Sequence, residues 1–192
     1  MWSAPVTVTP PASEPLTLAQ VKEFLAIEAD ETLHDAQLGR FIAAARGQVE
    51  AVTATRLVEH TVRIAASDWS DLLHLPVGPV QSVAGIAFDD VFGAEQALAP
   101  DDWELIGAGL ARAIRTPVGK GWPNGLRRGA DTIRVTLEVG YDTVPEPVQT
   151  AMLIMIADLF AQRESFAVGT VAAKIPSSMQ VDGLLTNFRI WL

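Results

Sequence analysis

The 192-residue chain is 49% hydrophobic and 19% charged, which excludes a disordered protein and allows one domain with a real core. It contains no cysteine, which excludes disulfides and thiolate metal sites. Its formal net charge of −9 argues against general nucleic-acid binding, which needs clustered positive charge.

Residues 1–15 carry Pro5, Pro10, Pro11 and Pro15 and read as a flexible N-terminal arm without a core of its own. They have no basic n-region and no long apolar run, so no signal peptide is expected there. The main domain is expected over 16–163. Its first helix runs about Leu18 to Ile27, with Thr17 and Gln20 spaced as a capping box. The second starts between Thr32 and Asp35 and ends near Thr55. Its apolar stripe is Leu38, Phe41, Ile42, Ala45, Val49 and Val52. Ala43, Ala44 and Gly47 are small enough for another helix to approach closely.

A β-rich middle is expected over 57–139. Val58, His60, Val62 and Ile64 alternate with polar residues, which predicts a strand from Leu57. A short apolar piece, Leu72 to Leu75, precedes the breakers Pro76, Gly78 and Pro79. Val80 to Phe88 is a second strand, closed by a turn at Asp89, Asp90 and Gly93. Shorter strands are predicted over Trp103 to Ile106 and Leu110 to Ile114, joined through Gly107 and Gly109. Residues 116–130 form a long loop, and Ile133 to Val139 is the last strand.

The stretch 143–163 predicts a helix starting near Pro145. Ala151 to Ala157 is apolar at every position, so this helix is expected to be wrapped on all sides, with Met152, Leu153, Ile156, Leu159 and Phe160 buried. Asp158 interrupts the run well short of the roughly 20 apolar residues a membrane span needs, so no membrane association is expected. Residues 164–192 form an irregular loop and then an apolar tail helix. The order of helices, strands and helices implies an α+β fold: a helical bundle around a central buried helix, with an antiparallel β-sheet insertion.

Motifs for chemistry are sparse. His34, His60 and His74 share no metal-ligand spacing. No HExxH, GxxxxGK[ST] or GxSxG occurs, so no enzyme and no cofactor are expected. Asp89–Asp90 and Asp101–Asp102 read as turn residues rather than a hard-metal site. Asp158 reads as the partner of an arginine or as a group at a subunit boundary. Basic residues concentrate at Arg112, Arg115, Lys120, Arg127, Arg128 and Arg134, with Trp122 beside them. The basic loop, Lys120, Arg127 and Arg128, suits an acidic protein neighbour better than a nucleic acid. Phe166, Val168, Val171 and Ile175 follow no period, as expected of inter-subunit contacts ordered by a neighbour. Phe188, Ile190, Trp191 and Leu192, with Arg189 among them, either dock on their own domain or insert into a partner.

The ordered set LTLAQVKEFLAI (16–27), FIAAARGQVEAVT (41–53), LPVGPVQSVAGI (75–86), KGWP (120–123), IRVTLEVGY (133–141), VPEPVQTAMLIMIADLFAQRES (144–165) and GLL (183–185) resembles the head-tail connector, or head-completion adaptor, family of long-tailed phages and phage-like gene transfer agents. Trp103 departs from it, standing where a tyrosine is common. The resemblance implies a structural, non-enzymatic subunit assembled in the bacterial cytoplasm into a virion or phage-like particle. It implies a ring of roughly twelve copies, seated beneath the portal protein and above the stopper or tail-terminator protein. DNA would pass through its channel without tight binding. In that picture the portal contacts are Phe188, Arg189, Ile190, Trp191 and Leu192. The alternative is a small DNA-associated packaging protein that uses the basic 112–134 stretch.

Overall fold

The computed structural model describes residues 1–165 and 177–191. The elements are β1 (Val6–Thr9), α1 (Leu18–Phe24), α2 (Asp35–Thr53), β2 (His60–Ala66), β3 (Val80–Asp89), β4 (Glu95–Ala97), β5 (Glu104–Ala108), β6 (Ala111–Arg115), β7 (Ile133–Val139), α3 (Glu146–Ser165) and α4 (Ser177–Leu185). They fall into two compact units. One comprises Met1–Ala12, Ala54–Asp142 and Ile190–Leu192, and the other Ser13–Thr53 and Thr143–Arg189.

The first unit is built on an antiparallel five-stranded sheet in the order β1-β2-β7-β3-β4. Strand β7 lies at its centre because Ile133, Val135, Leu137 and Val139 alternate without interruption, and all four are fully buried. Strand β2 matches it in register, with Val62 opposite Leu137 and Ile64 opposite Val135. Strand β3 breaks the period of two. Its core residues are Val80, Val83, Ile86 and Phe88, which oppose Val139, Leu137, Val135 and Ile133. Two register shifts, between Val80 and Ser82 and between Val83 and Gly85, make this possible. Each bulge inserts one residue and returns the next apolar side chain to the core face. Leu72, in a 3-10 turn over Trp69–Leu73, and Ile114 of the β5–β6 hairpin complete this core, and both are fully buried.

Two sequence expectations change in this unit. The arm is not free over its whole length, because Val6 and Thr7 pair with Arg63 and Val62. Prolines at 5, 10 and 11 flank the pairing residues and do not interrupt them, a placement suited to an edge strand. The short piece Leu72–Leu75 begins inside a 3-10 turn over Trp69–Leu73, which the Asp68 carboxylate caps by accepting from the Ser70 N–H at 2.8 Å.

The second unit holds the helices. The capping box of α1 forms as the spacing predicts. The Thr17 hydroxyl accepts from the Gln20 N–H at 3.2 Å, and the Thr17 N–H donates to the Gln20 side chain at 2.8 Å. Lys22 is buried, and its ammonium donates to the Ala29 carbonyl at 3.3 Å and the Glu31 carbonyl at 2.5 Å and pairs with Asp35 at 2.6 Å. One cation thus ties the α1–α2 connection to both helices, and charge-assisted bonds offset the desolvation of the ammonium. Helix α2 buries Leu38, Ile42, Ala45 and Val49, while Val52 is 38% exposed.

Helix α3 corrects the central-rod expectation. It buries Val148, Ala151, Met152 and Ile156, a stripe with helical spacing. Leu153 and Phe160 are half-buried, and Leu159 is 36% exposed. Within its unit it is flanked by α2 and α4 and, more lightly, by α1. The helix is therefore not fully buried on every face. The tail expectation changes as well: the helical segment is Ser177–Leu185, followed by a 3-10 turn over Thr186–Phe188.

Candidate functional site

The basic concentration is largely neutralised by its own unit. Lys120 pairs with Asp102 at 2.8 Å and donates to the Asp101 carbonyl at 2.7 Å. Arg115 pairs with Glu104 at 2.5 Å across the β5–β6 hairpin. Arg134 pairs with Asp89 at 2.6 Å and Glu95 at 2.7 Å, and Arg112 donates to the Gln81 carbonyl. The Lys120 ammonium holds the Asp102 carboxyl below the usual carboxylate range, and the Arg134 guanidinium does the same to Asp89. Trp122 stacks on Trp69 with ring centroids 4.7 Å apart, which anchors the long loop. Arg127 and Arg128 remain exposed. The acidic pairs are accounted for in the same way, as turn residues and ion-pair partners.

That loop touches the β3–β4 turn, where Leu126 bridges to Asp90 and the Arg127 N–H donates to the Asp89 carbonyl at 2.9 Å. The Asp90 carboxylate accepts from the Phe92 and Ala94 N–H groups at 2.9 and 3.0 Å and from the Gln96 amide at 3.1 Å. The backbone N–H of Gly93 donates to the Asp90 carbonyl at 2.8 Å. These donors, the Ala94 N–H foremost, lower the Asp90 pKa. Phe92, held in this network, is 93% exposed, and Val91 beside it is 59% exposed. The Arg127 guanidinium lies beside Gly93, 3.8 Å from where a Cβ would stand. Val91 and Phe92 had a legible sequence signal that periodicity ignores, two large apolar side chains inside a polar turn.

The second unit carries an apolar groove. Val49 and Val52 of α2, Met155 of α3, and Val181 and Leu185 of α4 line a groove of about 330 Å³ with Asp182 on its rim. A second hollow of about 300 Å³ shares Gln48 and Met155 and extends the groove to Ala44, Asp158 and Leu159. Gly47, on the same helix, has nothing within 4 Å of the position a Cβ would take.

The C-terminal residues divide. Leu185 is 1% exposed and belongs to the helical unit's own core. Arg189 pairs with Asp182 at 2.8 Å, an acidic partner supplied by this chain itself. The Ile190 side chain approaches Gly78, and Phe188 is half-buried. Trp191 is 76% exposed. Phe166, Val168, Val171, Ile175 and Leu192 lie outside the described residues. Among the described residues no helix is long and apolar enough to cross a membrane.

No protein-family model matches the sequence, and no curated protein matches it. Solved structures do match. A chain in the virion of a native gene transfer agent particle is 23% identical with a TM-score of 0.75, covering 99% of this chain and 97% of that one. A chain in the neck of the native particle, computed with C12 symmetry, gives 23% and 0.74 at the same coverage. One in the neck of the empty particle, computed with C6 symmetry, gives 21% and 0.74, again at the same coverage. This α+β chain therefore has, over almost its whole length, the fold of a chain found in the neck of gene transfer agent particles.

Proposed function

We propose that the protein is a non-enzymatic head-tail connector subunit. It forms a ring beneath the portal protein, joins the DNA-filled head to the tail through a stopper or tail-terminator protein, and surrounds the path of the DNA. The observation that carries this reading is the near-complete fold match to chains of two particle necks, computed with C6 and C12 symmetry, and of a virion. The ordered sequence motifs point to the same family. The net charge of −9 supports a channel that DNA slides through, because a basic lining would hold the phosphates. Pairing of Lys120, Arg115 and Arg134 with local acids weighs against the alternative of a DNA-associated packaging protein. Trp191, exposed at the end of the described chain, is the anchor we assign to the portal.

Negative-stain imaging of the protein mixed with its portal tests the reading. The expected image is one added ring coaxial with the portal, lost in Trp191→Ala while the circular-dichroism spectrum is unchanged. Absence of added density with the unaltered protein would overturn the connector role. Salt-sensitive retardation of duplex DNA in its place would favour the packaging alternative.

A further inference from the structure

Two unusual residues of the first unit meet at one point. Gly78 lies outside the left-handed backbone region, so its conformation does not explain its missing side chain. A Cβ there would stand 3.2 Å from the Ile190 Cδ1 and 3.6 Å from a Leu110 methyl. Leu110 forms, with Gly109, the two-residue turn between β5 and β6, where Ala108 pairs with Ala111. Gly109, at φ +59°, suits the first turn position, but the second favours Asn, Asp or Ser over a leucine. Ile190 accounts for both residues, because its side chain closes on the space that Gly78 leaves and that Leu110 borders. The floor of this space is fixed. The Gly78 carbonyl accepts from the Arg56 N–H at 2.7 Å, Gly78 bridges to Thr55, and Thr55, Val77 and Val80 are buried. Trp191 follows Ile190 directly and is 76% exposed. A side chain that projects from a fixed neighbour loses less freedom on docking than one on a loose chain end.

We propose that Gly78 and Leu110 form a seat for Ile190, and that the seated Ile190 presents Trp191 to the portal in its docking direction. The three are positioning residues for portal attachment. This rests on the connector reading and on the assignment of Trp191 within it.

The cysteine-free sequence allows a direct test. Leu110→Cys and Ile190→Cys are introduced together and joined within the chain by a short bismaleimide; a control is capped with N-ethylmaleimide. The joined protein is expected to bind isolated portal about two- to tenfold more tightly than the control, the ordering cost of one side chain. Equal binding would overturn the inference. So would loss of binding on joining, because the tail would then have to leave its seat to dock. Failure of the two cysteines to join within one chain would overturn it as well. A second pair of variants keeps apolar residues in place. Gly78→Ala adds a methyl beside the Ile190 Cδ1, and Ile190→Val removes that atom. Gly78→Ala is expected to weaken portal binding about two- to tenfold, and Ile190→Val in the same chain to restore it, with the urea midpoint of both within that of the parent. A Gly78→Ala loss that follows a fall in the midpoint and is not restored would make Gly78 merely structural and overturn its role. In each of these outcomes the unaltered protein binds the portal and the connector reading stands. No binding by the unaltered protein would defeat that reading, and the role of the seat with it.

Discussion

Replacing Gly140 with alanine should cost a large part of the stability of the sheet unit. Gly140 follows β7 directly and has φ +125°, a conformation that side chains with a Cβ rarely adopt. A Cβ there would stand 2.4 Å from the Val58 carbonyl carbon and 2.5 Å from the Glu59 nitrogen. Both are backbone atoms, so no side-chain rotation relieves the overlap. Backbone strain of this kind costs about 1–3 kcal/mol. The displacement also strikes the bonds that close the end of the sheet. Gly140 N–H donates to the Pro79 carbonyl at 3.0 Å, and the Gln81 amide donates to the Gly140 carbonyl at 2.7 Å. Each is worth about 1 kcal/mol net. The expected loss is about 3–5 kcal/mol, against a total of about 5–15 for an ordinary domain. Gly85 is the control. It lies in β3 with nothing within 4 Å of a built Cβ, so Gly85→Ala should be neutral or gain up to about 1 kcal/mol. Urea titration followed by circular dichroism measures both. A Gly140→Ala protein within about 0.5 kcal/mol of the parent, the level of a surface change, would refute the argument.

Three further outcomes are expected. Ile156→Ala should cost about 2–5 kcal/mol by the same titration, whereas Leu159→Ala, at a position 36% exposed, should cost about 1 kcal/mol or less. Asp89, paired with Arg134, should titrate below the ordinary aspartate value of about 3.9 in a carboxylate NMR titration, and Arg134→Gln should raise the midpoint. Its folded-state pKa is depressed, so this contact stabilises the fold above the ordinary aspartate range and is lost as pH falls through the lowered value. The isolated protein should not retard duplex DNA at physiological salt, as a gel-shift assay would report.

Sequence reasoning succeeded where one local period or one cap decides the structure. Ile133–Val139 alternates strictly and is the central strand with those bounds. Thr17 and Gln20 form the capping box that their spacing announces. It failed where neighbours decide. Glu95–Ala97 carries no strand pattern and pairs only because β3 offers Ala87, Phe88 and Asp89 as an edge. The apolar run of α3 shows that the helix is hydrophobic, but not how many sides its partners cover. Ion pairs such as Lys120–Asp102 join residues 18 apart, so the basic stretch looks bare in sequence and is paired in the fold. The Phe92 turn was legible only in part: Asp90 and Gly93 mark the turn, but the exposure of its aromatic requires the structure.

The two bulges of β3 also govern which changes in chain length this sheet can absorb. Gln81 and Ala84 are the supernumerary residues, each lying between partners that are consecutive on β7. Removing either one straightens the ladder locally and keeps Val80, Val83, Ile86 and Phe88 on the core side. Removing a residue between Gly85 and Phe88, where pairing is regular, would turn part of the strand over and carry buried side chains into water. Length variation among related chains should therefore concentrate at positions 81 and 84, and a simple two-residue periodicity would place their strands out of step.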